Sequence, residues 1–433
     1  MKILYLIPYS PANPAFGGAL RIYHLLTHLY KYHDVTVAGF SAPEEERELI
    51  KEFPLLAGKT HFVNYPFSDK SNRWSLIKSL FTTHSNWYHV TRSKQFQKKL
   101  DQLLAAESFD IIQSEFPVMA MFRYNSSAVK IIDSHNVEYN NFKRMAKVKN
   151  PVKKLFYHLE AYKFYREEIA VCRQQDALLV TSERDISIYN QTLPAVSKYL
   201  IPNGVDTNYF QPFKTRPAPH SMIFVGMMKY VPNYDGITWF LDEIFPKILE
   251  KVPDATITIV GKNPPNSILH RANQNIIVTG FVEDTRPYIE KSSVYVVPLR
   301  MGGGTRLKIM EALAMKKPIA TTSIGCEGID VVNGQSILIA DHPAEFAARV
   351  MELFANPNLV AGLTDEGYEL VKNRYRWESI GHQMDHAYKE LTGQYSIPSE
   401  PAMLSVADES AIDRWNDESN GSSEKIRSKQ ESE

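Results

Sequence analysis

The sequence predicts an α/β protein of two doubly wound parallel-sheet domains facing a cleft. Two observations carry this. Short apolar runs alternate with helical patterns from the first residues to about residue 392, and the pattern stops and restarts once on the way. Strands that alternate with helices form a parallel sheet covered on both faces. A third supports it: 433 residues at 44% apolar and 23% charged fill about two to three soluble domains with a sizeable core.

The first set opens with KILYLI, followed by ALRIYHLLTHLYKY, where Leu20, Tyr23, Leu26 and Leu29 share a helical face. The strand DVTVAGF, the charged helix EEERELIKEF and the strand THFVNY come next, and further strands are expected at DIIQS, KIIDS and ALLVTS. KYLIPNGVD and the proline-spaced FQPFKTRPAPH make the seam, near residues 203–220. The second set runs through MIFVG, ATITIVG, IIVTGF, VYVVPL, KPIATT and SILIA, with helices at NYDGITWFLDEIFPKILEKV and PAEFAARVMELFA. Domains of 1–205 and 206–376 result. Residues 394–433, rich in Ser, Glu and Asp without apolar periodicity, are expected to be disordered.

Composition excludes several classes. The net charge is zero, so bulk positive charge does not make this a nucleic-acid binder. Cys172 and Cys326 offer neither a disulfide framework nor metal-site spacing, which suits a reducing cytosol. No apolar run approaches the roughly 18–20 residues of a membrane span. MKILYLIPYS reads as a buried first strand and not as a signal peptide, so a cytoplasmic location is expected.

In open α/β sheets ligands bind beyond the C-terminal ends of strands, so motifs there carry most weight. After the first strand, Gly17 and Gly18 open a helix near Ala19 and let backbone N–H groups approach a phosphate, or simply make a turn. Neither a G-x-G-x-x-G fingerprint nor a P-loop is present. In IIDSHNVEY, Asp133, His135 and Glu138 follow a strand; His135 serves a sugar hydroxyl or a proton transfer, or caps the next helix. Ser182 reads as a helix N-cap.

The densest cluster is PLRMGGGTRLKIMEALA. Gly302, Gly303 and Gly304 lead into a helix near Thr305, which makes an anion nest at a positive helix end. Arg306 and Lys308 add full charges, and Glu311, one turn past Lys308, is placed to accept hydrogen bonds from a diol such as ribose. A nucleoside diphosphate sugar needs all three services. The competing reading pairs Glu311 with Lys308 and leaves Arg306 solvated.

Two stretches are locally basic: residues 70–99 carry seven Lys/Arg among Trp74, Phe81, Trp87 and Tyr88, and residues 143–166 carry eight against one Glu. They suit contact with an anionic membrane surface, or are solvated helix faces.

Together the early FGG loop, DSHNVE, IPNGVD, the FVG that opens the second half, TGFVED and VPLRMGGGTRLKIMEALAMKKPIATTSIGCEGI resemble retaining glycosyltransferases of family 4, with the GT-B fold of two Rossmann-like domains. The likeness spans residue 1 to about 392, and its GGGTRLKIMEA block resembles the subset that builds exopolysaccharides and other bacterial surface glycans. It implies a nucleotide-sugar donor on the second domain and a glycan or lipid-linked acceptor on the first. A terminal helix, 377–392, would cross back to the first domain. It further implies Glu311 on the ribose, Gly17 and Gly18 near the phosphates, His135 near the transferred sugar, and Phe281 and Val282 flanking the base. No metal or other cofactor is implied, because protein cations and helix ends neutralise the diphosphate.

Two departures stand out. The glutamate usually found eight positions before Glu311 is Gly303 here, and the basic residues usually found one and seven positions after Gly226 are Met227 and Asn233. Arg306 and Lys308, with Lys229 third, are the candidates to supply the charge. A non-catalytic partner subunit, or a nucleotide-sugar epimerase of the same architecture, stays open.

Overall fold

A computed structural model of the chain describes residues 1–12, 17–66, 69–146, 151–212, 215–302 and 304–394, with the side chains of 69–73 and 153 left aside. Gly303, Phe16 of the FGG loop, residues 147–150 of the second basic stretch and all but the first residue of the tail lie outside the described residues.

Two wholly parallel sheets form. The first contains β1 (Lys2–Ile7), β2 (Asp34–Phe40), β3 (Thr60–Val63), β4 (Ile111–Glu115), β5 (Val129–Ser134), β6 (Ala177–Val180) and β7 (Ser197–Leu200), in the order β3-β2-β1-β4-β5-β6-β7. The second contains β8 (Ala218–Val225), β9 (Thr256–Val260), β10 (Ile276–Gly280), β11 (Ser292–Val297), β12 (Ile319–Thr321) and β13 (Leu338–Ile339), in the order β10-β9-β8-β11-β12-β13. Every residue of β1 after Lys2 is buried, as helices on both faces require. Strand order reverses beside β1 and β4 in one sheet and beside β8 and β11 in the other. Such switch points open a crevice at the strands' C-terminal ends.

Three local differences from the sequence pattern have physical causes. The seam contributes a seventh strand, β7, whose partly exposed SKYL residues suit an edge position and carry no apolar run. The helix expected over 233–252 is Val231–Trp239 and Phe245–Lys251 joined by a π-helical turn, Phe240–Ile244. Pro246 lacks an N–H and would crowd the carbonyl four residues back, and the widened turn relieves both. In the first helix, Gly17–Tyr32, the buried face is Ile22, Leu25, Leu26 and Leu29, while Leu20 and Tyr23 turn to the cleft.

The last helix, Trp377–Leu391, buries Trp377, Ile380, Met384 and Tyr388 in the core of the first sheet, against β1 and the first helix. The chain thus crosses between the domains twice. The crossings run side by side: Val205 N–H donates to Tyr375 O at 2.7 Å and Val205 forms a parallel bridge with Arg376.

Candidate active site

A cleft of about 1090 Å³ lies at the two switch points. Its first-domain wall comes from the ends of β1 (Tyr9), β4 (Phe116) and β5 (His135, Asn136, Glu138), with Gly17 and Gly18 at the N-terminus of the first helix. Gly226, Tyr230 and Asn233 after β8 form the other wall, with Leu299 after β11 and Gly304, Thr305, Arg306, Lys308 and Glu311 around the start of the helix Leu307–Ala314. Trp377 of the last helix closes one side, its indole stacked on His24 with centroids 4.7 Å apart.

A buried ionic cluster supports the first wall. Arg21, wholly buried, grips Asp133 with two hydrogen bonds of 2.9 Å and also donates to Pro202 O and Asn203 Oδ1. His135 Nε2 lies 2.6 Å from Glu115 Oε2. Burial pushes the His135 imidazole down to about 3 and the Glu115 carboxyl up to about 7, the latter eased by hydrogen bonding from Gln113 and by Arg21. His135 is therefore neutral at physiological pH, its ring oriented by Glu115. Phe116 takes φ +65°, costly for an aromatic residue, and lays its ring on the imidazole at 3.9 Å. Glu115, Asp133 and His135 also have the composition of a cation site. A guanidinium occupies both Asp133 oxygens, however, and fills the role a cation would have.

On the opposite wall Lys308 Nζ donates to Val225 O at 2.6 Å and to Asn233 Oδ1 at 3.0 Å. Gly226 leaves room for this: a Cβ there would lie 2.7 Å from Asn233 Nδ2 and 2.9 Å from the ammonium. The missing basic residue at 233 thus has a counterpart, because Lys308 brings its charge to the same spot from another helix. Lys308 turns its hydrogen bonds to Val225 and Asn233 and not to Glu311. Both line the cleft instead.

Burial pushes Lys308 down to about 7, with Arg306 adding to the shift and Glu311 opposing it, and pushes Glu311 up to about 7 against the pull of Lys308. A diphosphate selects the protonated amine. Its affinity is therefore expected to fall between pH 7 and 9, by up to roughly tenfold per pH unit. Titration calorimetry with a nucleoside diphosphate checks this, and Lys308→Met should flatten the profile. A pH-independent wild type would show that the lysine is no part of any site for a diphosphate.

The other expected residues divide. Gly304, at φ +69°, lines the cleft, and a Cβ there would sit 2.1 Å from Asn136 Oδ1 of the other domain, so only glycine fits. Gly302 does not line the cleft; its carbonyl accepts from Arg144 Nη1 at 2.5 Å. The expected three-glycine nest is corrected to this extent, with Gly303 outside the described residues. Arg306 is buried and donates to Gly304 O at 2.6 Å, and Thr305 Oγ1 donates to Thr181 O across the domains. Arg306 is thus neither solvated nor simply a surface cation.

Lys229, Phe281 and Val282 lie outside the cleft lining. Lys229 is exposed. Phe281, 67% exposed beneath the Lys262 ammonium, follows the edge strand β10, two strands from the switch point. Ser182 is an N-cap, accepting from Asp185 N–H at 3.2 Å.

Further contacts join the domains at the cleft. Arg144 pairs with Glu327 at 2.7 and 3.0 Å, Arg184 reaches the same carboxylate at 3.0 Å, and Leu307 packs where a Gly17 Cβ would be 3.1 Å away. Arg21, Glu115, Tyr9 and Trp377 went unsingled in the sequence. Of these only Glu115, just past a predicted strand, carried a local signal.

Comparison with known proteins agrees with this architecture. Residues 219–356 match the family described as Glycosyl transferases group 1. A 44.6 kDa protein of the cps region of Klebsiella pneumoniae is 22% identical over 320 residues, covering 70% of this chain and 80% of its own. A phosphatidyl-myo-inositol mannosyltransferase of Mycolicibacterium smegmatis is 23% identical over 209 residues, covering 45% and 52%. Among solved structures, Anabaena HepE in complex with UDP superposes with a TM-score of 0.64 at 13% identity, covering 90% of this chain and all of that one. Residues 219–356 therefore resemble the glycosyltransferase group 1 domain, within a chain that has the two-domain GT-B fold.

Proposed function

We propose that this protein is a retaining glycosyltransferase that moves a sugar from a nucleoside diphosphate sugar to a lipid-linked or glycan acceptor in bacterial surface-glycan synthesis. One observation carries the reading. Lys308, Arg306 and Glu311 of the second domain line the same cleft as the neutral, carboxylate-oriented His135 of the first. Cations for a diphosphate, an acceptor for a diol and a polar group beside the sugar thus share one space. The relatives' names supply context: one sits in a cps region, one is a mannosyltransferase acting on a phosphatidyl lipid, and HepE holds UDP.

In this mechanism the bond from the sugar's anomeric carbon to the leaving phosphate oxygen breaks while the acceptor oxygen bonds to the same face. The acceptor proton passes to the departing phosphate. Arg306, Lys308 and the helix N-termini at Gly17 and Leu307 stabilise the charge that develops, without a metal. His135, neutral and held by Glu115, hydrogen-bonds the sugar. A thermal-shift panel of nucleoside diphosphates and their sugars tests the donor half. No shift with any of them would end the proposal.

An apolar, basic surface supports a site of action at the inner face of a membrane. No helix among the described residues is long and apolar enough to cross a membrane. The helices Asp69–Phe81 and Pro151–Cys172 nevertheless expose Trp74, Leu80 and Phe81 (84%) on one and Val152 (76%), Leu155 and Tyr162 on the other. They meet, because Lys163 Nζ donates to Ser79 O. Exposed Lys78, Lys154 and Arg166 add positive charge. Flotation with anionic vesicles should recover the protein, and Trp74→Ser with Phe81→Ser should cut recovery several-fold. Equal recovery of both proteins would remove the membrane from the proposal.

A further inference from the structure

Away from the cleft, where the first and last helices cross, three metal-binding side chains converge. His28 comes from the first helix, and His382 and Asp385 sit at i and i+3 on the last. One ligand atom from each lies within 4.8 Å of the other two. In a tetrahedral zinc site with bonds of about 2.0–2.2 Å, ligand atoms stand about 3.3 Å apart, so only small side-chain shifts separate this arrangement from a coordination sphere.

The surroundings resemble those of a built site. His28 is buried, and Asp385 is half-buried with its Oδ2 2.8 Å from His28 Nε2. The other carboxylate oxygen, Oδ1, is held 2.8 Å from His33 Nε2, the kind of outer contact that orients a metal-binding carboxylate. Gly381 makes the approach possible: a Cβ there would lie 2.3 Å from the His28 ring. His382 is exposed, which gives an ion a way in.

The geometry points to a zinc-class divalent cation bound by His28, His382 and Asp385, with water completing the sphere. Two imidazoles and one carboxylate suit zinc better than magnesium or calcium, which prefer all-oxygen sites. The ion would staple the last helix, which follows the second domain in sequence, to the first helix of the first domain. One turn before His28 lies His24, on which Trp377 of the cleft is stacked. The cation would therefore stiffen one wall of the cleft without touching substrate.

The test uses the full chain, stripped with chelator and titrated with zinc chloride. Calorimetry should give one zinc per chain, and the melting temperature should rise. His382→Ala, a change at an exposed position outside the cleft, should weaken binding at least tenfold and abolish the thermal shift with the fold intact by circular dichroism. His33→Gln, one contact further out, should weaken it about 10–100-fold. The chain has 13 histidines, so adventitious binding is the rival outcome. Zinc binding that His382→Ala and Asp385→Asn leave unchanged, or no binding at all, would overturn the site.

Discussion

Replacing Arg306 or Glu311 with alanine is expected to cut sugar transfer by about tenfold to a thousandfold while the protein stays folded. The two should fail differently. In the proposed mechanism Arg306, buried at the N-terminus of the helix Leu307–Ala314, acts on charge that grows as the diphosphate leaves. Losing one such preorganised donor costs about 10²–10³ in kcat. Glu311 is assigned to the donor's diol, which is bound before and during reaction alike. Removing a hydrogen bond to a charged group costs about 1.5–3 kcal/mol, and it should appear first as weaker donor binding. Steady-state kinetics on both variants, with circular dichroism as the folding control, separates these. Near-normal turnover in both would show that the chemistry lies elsewhere.

Arg21→Ala should produce the largest loss of stability among single changes near the site, about 3–5 kcal/mol. The guanidinium is wholly buried, and its removal strands the Asp133 carboxylate beside Glu115 with no compensating charge. The sign with pH follows. Burial already raises Asp133 above its ordinary value against the pull of Arg21, and without Arg21 it rises further. A group whose folded pKa is raised contributes stability at low pH that is lost as pH climbs. Urea melts should therefore show a larger deficit at pH 8 than at pH 5. Arg21→Met combined with Asp133→Leu should recover most of it, since two apolar side chains strand no charge. A deficit that is the same at both pH values would mean Asp133 is not the group left exposed to the cost.

These two residues also show where sequence reading stops. Strands such as ILYL and VYVV were legible because a strand buried on both faces must be apolar throughout; SKYL, at an edge, is under no such demand. Strand-end reasoning brought attention to His135, Lys308 and Glu311, which the fold gathers around one cleft. Arg21 was invisible by the same logic. It sits on the apolar face of a helix, and its partner is 112 residues away. Phe281 and Lys229 lie beside motif residues in sequence, yet the first follows an edge strand and the second faces solvent. Spacing along the chain carries no information about strand order. Likewise, nothing local shows that Asn233 would stand next to the Lys308 ammonium.

The paired crossing at Val205 and Arg376 has a mechanical consequence. Two chain segments hydrogen-bonded side by side make a hinge with a single easy axis: the domains can bend about that line, while sliding or twisting would shear the Val205–Tyr375 hydrogen bond and drive Trp377 into Gly204. Opening the cleft is then one motion with one coordinate. Part of its resistance comes from the Glu327 contacts with Arg144 and Arg184, which are polar, partly exposed and weakened by salt. Added salt should therefore loosen this clasp while the cores on either side stay intact.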